Sequence, residues 1–271
     1  MALISSQRQV GHILYCRGVI MNRPVRWMWE EIIVTVLVLT VLAAIEPVCA
    51  YEGDPAVAGV TVSGRVLYTG SLPKPERVPV HRDSKFCGET VSIDKIHVER
   101  ASGGIDGVVI SLEGIGRGKP LVPDKTAITF ENRTCQFVPR TNAAVVGSVL
   151  EILNRDPILH NTHMRIDGRS GPTIINVVQP AGVDVIIKTL QIAGFFDIRC
   201  DAHTFMQASI HVFEHPYFAV TDGTGRFEMA QVPPGTYRLR MWHEALGART
   251  KTITVPSTGS LTVDLGLGPE E

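Results

Sequence analysis

The sequence predicts an all-β chain built from two sandwiches. Three observations carry that prediction. Val, Ile and Thr recur in short alternating runs, and stretches with a 3.6-residue apolar period are few. The 25 glycines and 17 prolines break the chain into strand-sized pieces. The 271 residues suffice for two small domains once a leader is set aside.

The first element is an export signal over residues 1–50. Arg23 and Arg26 form a short basic region, Ile32 to Ala44 is apolar or small, and Val48 and Ala50 suit a cleavage site. Met21 is a more natural start than Met1, and cleavage after Ala50 would begin the mature chain at Tyr51. The apolar run of about 13 residues is short of the ~20 a spanning helix needs. A membrane is therefore expected as a partner only through an uncleaved leader.

Beyond the leader, Val60 to Tyr68 alternates cleanly and reads as a strand. Residues 70–73 form a turn, and short strand candidates follow at Val91–Ile93 and Ile96–Val98. Residues 107–112 make a firmer strand, closed by the Gly- and Pro-rich linker 114–120. Ala127–Glu131, Val145–Leu153 and Ile174–Val178 are strand-like, and Val183–Leu190 alternates. Phe195–Cys200 and Ser209–Phe213 flank a short loop. Residues 217–228 read as strand, turn, strand, with Asp222-Gly223 at the positive-φ turn positions. Thr236–Met241, Lys251–Val255 and Leu261–Leu265 complete a small antiparallel set.

Five cysteines become three when Cys16 and Cys49 leave with the leader. An odd number in an exported chain requires that one be free or metal-bound. Cys200 has His203 and Met206 beside it and is the expected metal thiolate. Cys87 and Cys135 are left to pair, as an oxidising compartment permits, or to stay as two buried thiols; the disulfide is the expectation.

The loop Cys200-Asp201-Ala202-His203-Thr204-Phe205-Met206 packs three soft or borderline donors into one turn, and His160-Asn161 lies forty residues upstream. One thiolate, two imidazoles and one thioether match the donor set of a blue-copper site. Methionine suits zinc poorly, which favours copper. No second thiolate adjoins Cys200 for a binuclear centre, and the cysteines are too few for an iron–sulfur cluster. Asn161 is placed to hydrogen-bond across to the loop bearing Cys200, holding the ligand segments together. His163, on the opposite strand face from His160, reads as a surface histidine; His211, His215 and His243 read as structural.

The segments Asn154-Arg155, Pro157, His160-Asn161, His163 and Phe196 to Met206 resemble the ligand segments of the cupredoxins, most closely of the amicyanin type. The resemblance covers residues 125–213, and Ala202 and Thr204 stand where that pattern carries proline. It implies a Greek-key β-sandwich over residues 119–213 and one type 1 copper site. Its metal ligands would be His160, Cys200, His203 and Met206. It also implies that His203, ringed by apolar residues such as Phe205, is the ligand nearest solvent. A redox partner such as a c-type cytochrome or a periplasmic dehydrogenase would dock there.

Val220-Thr-Asp222, Gly225, Phe227 and Val232-Pro-Pro-Gly235 resemble the carboxypeptidase-regulatory or transthyretin-like β-sandwich. Residues 216–268 alone supply about four or five strands, marginal for a stable sandwich. Residues 57–115 together with 214–268 are therefore expected to form one discontinuous sandwich, with the copper domain inserted. The alternative is a longer N-terminal copper domain followed by an independent C-terminal one.

The function expected is an exported blue copper protein carrying single electrons between redox partners. The alternatives are an exported copper-storage or delivery protein, or a scaffold that binds no metal. No Ser/His/Asp triad or supported pair of catalytic carboxylates is visible, so no enzymatic activity is expected. A net charge of -1 gives no sign of a nucleic-acid partner.

Overall fold

A computed structural model describes residues 50–72, 74–123 and 127–269. The leader expected over residues 1–50 falls outside these but for Ala50. Among the described residues no helix is long and apolar enough to cross a membrane. The chain is all-β, with α-helix confined to Ser84–Cys87 among the described residues.

Strands from the middle of the chain form a four-stranded and a five-stranded sheet. The first runs Ile186–Thr189, Val149–Asn154, Ile128–Arg133 and Gln136–Val138; the second runs Thr173–Gln179, His160–Ile166, Gly194–Arg199, Gln207–Phe213 and Thr141–Val145. The pairings 149–154 with 128–133 and 207–213 with 141–145 are parallel. Alternation places Phe130, Ile152, Met164, Phe196, Ile198 and Ile210 in one buried cluster. Burying each such side chain contributes about 1.5–3 kcal/mol, which makes a stiff frame at the end of which the loop 200–206 is mounted.

The second pair of sheets draws on both ends of the described chain. Phe218–Val220, Val109–Glu113, Gly235–His243 and Gly247–Val255 form one sheet; Arg226–Val232, Val60–Tyr68 and Ser260–Thr262 form the other, with Leu265–Leu267 also on Val60–Tyr68. Val62, Val66, Ile110, Leu112, Leu239 and Ile253 share the buried cluster between them. The pairing of Val60–Tyr68 with Arg226–Val232 encloses residues 128–213 between two parts of one sandwich.

Several elements differ from the sequence reading. Val145–Leu153 is two strands in different sheets, because Gly147 takes φ +90° and turns the chain between them. The pieces of 217–228 do not form a hairpin: one pairs with Val109–Glu113 and the other with Val60–Tyr68, in opposite sheets. The positive φ there belongs to Gly225 at +78°, while the Asp222 carboxylate accepts the N–H groups of Thr224 and Arg226. Ile96–Val98 makes only a single bridge, Val98 to Ile105. Leu261–Leu265 is broken into two short strands by Val263, whose N–H donates to Ser63 O.

The two sandwiches meet through packed rings and an ion pair. The His211 ring packs at a tilt against Trp242 and Phe195, at 4.3 and 5.1 Å between ring centroids. Arg140 reaches Glu244 at 3.2 Å and donates to Asp94 O at 2.7 Å. His211 and His243, expected as structural, are both buried at this junction.

Candidate metal centre

The site is assembled by three neighbouring strands. His160–Ile166 pairs antiparallel with Gly194–Arg199, which pairs in turn with Gln207–Phe213. The last rung, Arg199 with Gln207, closes residues 200–206 into a tight loop. Within it the Met206 N–H donates to His203 O at 2.8 Å, and the Cys200 N–H points at Met206 O at 3.4 Å. Pro157 precedes the strand that starts at His160, and that strand delivers His160 to the sulfur of the loop.

The donors converge. Nδ1 of His203 lies 3.6 Å from Cys200 Sγ, and Nδ1 of His160 lies 3.9 Å from it. One ligand atom each from His160, Cys200 and His203 fall within 4.8 Å of one another, and all three residues are buried. Met206 is 2% exposed and is tied to this group through its backbone bonds to Cys200 and His203.

Each imidazole presents Nδ1 to the sulfur and gives Nε2 to a carboxylate. His160 Nε2 meets Asp156 Oδ2 at 2.8 Å, and His203 Nε2 meets Asp83 Oδ2 at 3.1 Å. A carboxylate behind an imidazole fixes its tautomer and its orientation toward a metal. Asp156 is itself fixed, accepting the N–H groups of Thr134 at 2.6 Å and Cys135 at 2.8 Å.

Asn161 ties the two ligand segments together. Its Oδ1 accepts the Asp201 N–H at 2.6 Å and the Ala202 N–H at 3.3 Å, and its own N–H points at Cys200 Sγ at 3.5 Å. Nδ2 donates to Asp201 Oδ2 at 3.1 Å and to Asn176 Oδ1 at 3.1 Å.

Burial pushes the Cys200 thiol up from its ordinary range, against N–H groups of Asn161, His203 and Ala202 that favour the thiolate. Burial likewise lowers His160, with Asp156 pulling the other way. Both groups thus favour their neutral forms without a cation. Loading a metal must displace the thiol proton. A thiolate, two imidazoles and two carboxylates behind them form an anionic, soft-to-borderline pocket that suits a copper ion.

Two expectations fail here. His203 is not at the solvent edge: it is 1% exposed, with the Asp83 carboxylate against its outer nitrogen. His163 is not a surface histidine. It is buried, with Nδ1 at 2.9 Å from Asp201 Oδ2 and Nε2 at 2.8 Å from Thr173 Oγ1, because the ligand loop folds back over its strand face.

Cys87 and Cys135 form the expected disulfide, and Cys200 is a free, buried cysteine. Asp156 and Asp83 were not anticipated from the sequence. Asp156 had a signal, a carboxylate in a turn four residues before a candidate ligand histidine. Asp83 had none, being 120 residues from its partner.

The family described as polysaccharide lyase family 4, domain II, matches residues 206–263, from the end of the ligand loop through most of the second sandwich. No curated protein matches the chain. Solved structures that resemble it include a Cu-containing nitrite reductase from Thermus scotoductus SA-01, at 22% identity and TM-score 0.30, over 36% of this chain and 24% of that one. A reduced variant of amicyanin matches at 17% identity and TM-score 0.29, over 38% of this chain and 98% of that one. A purple cupredoxin from Nitrosopumilus maritimus matches at 18% identity and TM-score 0.27, over 31% and 98%. The chain thus spans about a quarter of the nitrite reductase it matches.

Proposed function

We propose that this protein holds one copper ion in a type 1 site and passes single electrons between redox partners. The observation that carries the reading is the approach of both Nδ1 atoms to one buried sulfur, at 3.6 and 3.9 Å, with both Nε2 atoms held by carboxylates. His160, Cys200 and His203 would hold the ion, with Met206 as the fourth, weaker ligand. Bound copper would supply a one-electron couple.

The chain's own part is to keep the ligands in place through a change of charge. His160 is set by Asp156, Cys200 by the Asn161 N–H, and both strands by a packed core. A frame that does not rearrange keeps the cost of electron transfer low. Storage or delivery uses the same donors but needs ready metal exchange, and three ligand side chains at 0–1% exposure disfavour it.

The Cys87–Cys135 disulfide supports an oxidising, exported location. The partner in this reading is another redox protein, such as a c-type cytochrome or a periplasmic dehydrogenase, and the chain itself performs no bond-making chemistry. The second sandwich, in its carboxypeptidase-regulatory or transthyretin-like reading, serves as a support for the copper domain.

Adding Cu(II) to the purified metal-free protein tests the proposal. An intense visible absorption from the thiolate and an EPR signal of a single copper are expected. A colourless complex would overturn it.

A further inference from the structure

Residues 76–93 leave the second sandwich and reach the ligand loop. Glu76–Pro79 and Thr90–Ile93 pair as an antiparallel hairpin, and the short helix Ser84–Cys87 occupies its bend. Asp83 stands at the start of that helix at φ +57°, and its backbone O accepts the N–H groups of Phe86 and Cys87 at 2.9 and 3.0 Å. Its carboxylate faces His203 Nε2.

The same bend is fixed a second time. Cys87 is bonded to Cys135, whose N–H donates to the Asp156 carboxylate that holds His160. The contacts therefore close a ring: Asp83, His203, the sulfur of Cys200, His160, Asp156, Cys135, Cys87 and back to Asp83. The bend that carries Asp83 is thus covalently fastened to the turn that holds Asp156.

We propose that Asp83 is a positioning residue of the metal site, and that its disulfide-fastened hairpin is a cap sealing His203 from water. The proposal rests on the copper reading for its effect on the metal, while the cap itself belongs to the chain with or without an ion. The carboxylate orients the His203 ring and adds negative charge next to it, which retains the ion and favours its more oxidised state. Removing such an outer partner typically costs about 10–100-fold in metal affinity. A tenfold loss of preference for the oxidised form corresponds to about 59 mV in a one-electron couple.

The first test needs no metal. Histidine carbethoxylation of the metal-free protein, mapped by mass spectrometry, should leave His203 at least tenfold slower than exposed His81. The pair Cys87→Ser/Cys135→Ser should speed His203 toward the His81 rate. The second test uses the copper-loaded protein. Asp83→Ala should lose copper to a chelator about 10–100-fold faster and show a raised potential, and Asp83→Glu should restore much of both. Asp83→Asn separates charge from hydrogen bonding by keeping an acceptor and losing the charge.

The two ideas fail separately. A colourless wild-type complex removes the copper reading, and with it the metal role of Asp83, whatever the labelling shows. A coloured wild type whose His203 labels as fast as His81 overturns the cap. So does an Asp83→Ala protein with unchanged loss rate, potential and EPR parameters.

Discussion

The Asp156 carboxylate joins the Nε2 of His160 at 2.8 Å while also accepting the backbone N–H groups of Thr134 and Cys135. One side chain therefore links a candidate ligand, the turn that carries a disulfide cysteine and the edge of the buried core. Both Thr134 and Cys135 have positive φ, at 50° and 57°, so their N–H groups converge on one anion as a small nest.

Asp156→Ala should be the most damaging single substitution at the site. It leaves two turn N–H groups and one imidazole without their acceptor. Buried donors left unsatisfied cost about 1–3 kcal/mol each. Denaturant unfolding of the metal-free protein measures the loss, and a change under 1 kcal/mol would show that the nest is not needed.

Cys200→Ser should abolish the visible absorption of the copper-loaded protein while the metal-free fold persists. Sγ is the point on which both Nδ1 atoms converge, and a hydroxyl gives no comparable charge-transfer band. Far-ultraviolet circular dichroism reports the fold, and absorption reports the site.

Asn161→Ala should loosen the loop without unfolding the sandwich. The partly buried Asp201 and Ala202 N–H groups lose their shared acceptor, at about 0.5–1.5 kcal/mol per hydrogen bond. Faster hydrogen exchange at Asp201 and a broadened EPR spectrum are the expected signatures. Exchange unchanged at Asp201 would mean that the loop holds its shape unaided.

Acid should weaken the junction between the sandwiches. Burial, with Arg240 nearby, lowers His211 to about 3, and burial with Arg140 nearby lowers His243 to about 4. Above pH ~6.5 these rings are neutral in both states. Below it the unfolded chain takes up protons that the folded chain refuses. Stability therefore falls as pH drops from ~6.5 towards 4, by on the order of 2 kcal/mol per histidine. Melting temperatures from pH 7 to 4.5 should fall accordingly, and His211→Phe should flatten the slope. An unaltered slope in that variant would assign the acid sensitivity elsewhere.

The centre of the site was legible because its chemistry is local. Cys200, His203 and Met206 share one loop, and His160-Asn161 follows the Pro157 turn at the start of a strand. Strand periodicity likewise located Val60–Tyr68 and Gly194–Arg199. What the sequence concealed depends on chain reversal in three dimensions. Gly147 looks like any glycine in a β run until its positive φ assigns the flanking residues to different sheets. Asp83 lies in a polar, proline-punctuated stretch, and nothing local marks it as the neighbour of His203. His163 was misread for the same reason, since its partners Asp201 and Thr173 come from other segments.

The position of Val60–Tyr68 has an outcome for biosynthesis. This strand is made early, yet one of its edges is completed only by Ser260–Thr262 and Leu265–Leu267. The strands of the inserted sheets all lie before residue 214, while the sheet around Val60–Tyr68 takes its closing strands from residues 260–267. Truncation before residue 260 would thus strip Val60–Tyr68 of its partners on that edge and leave a bare β edge open to pairing with another chain.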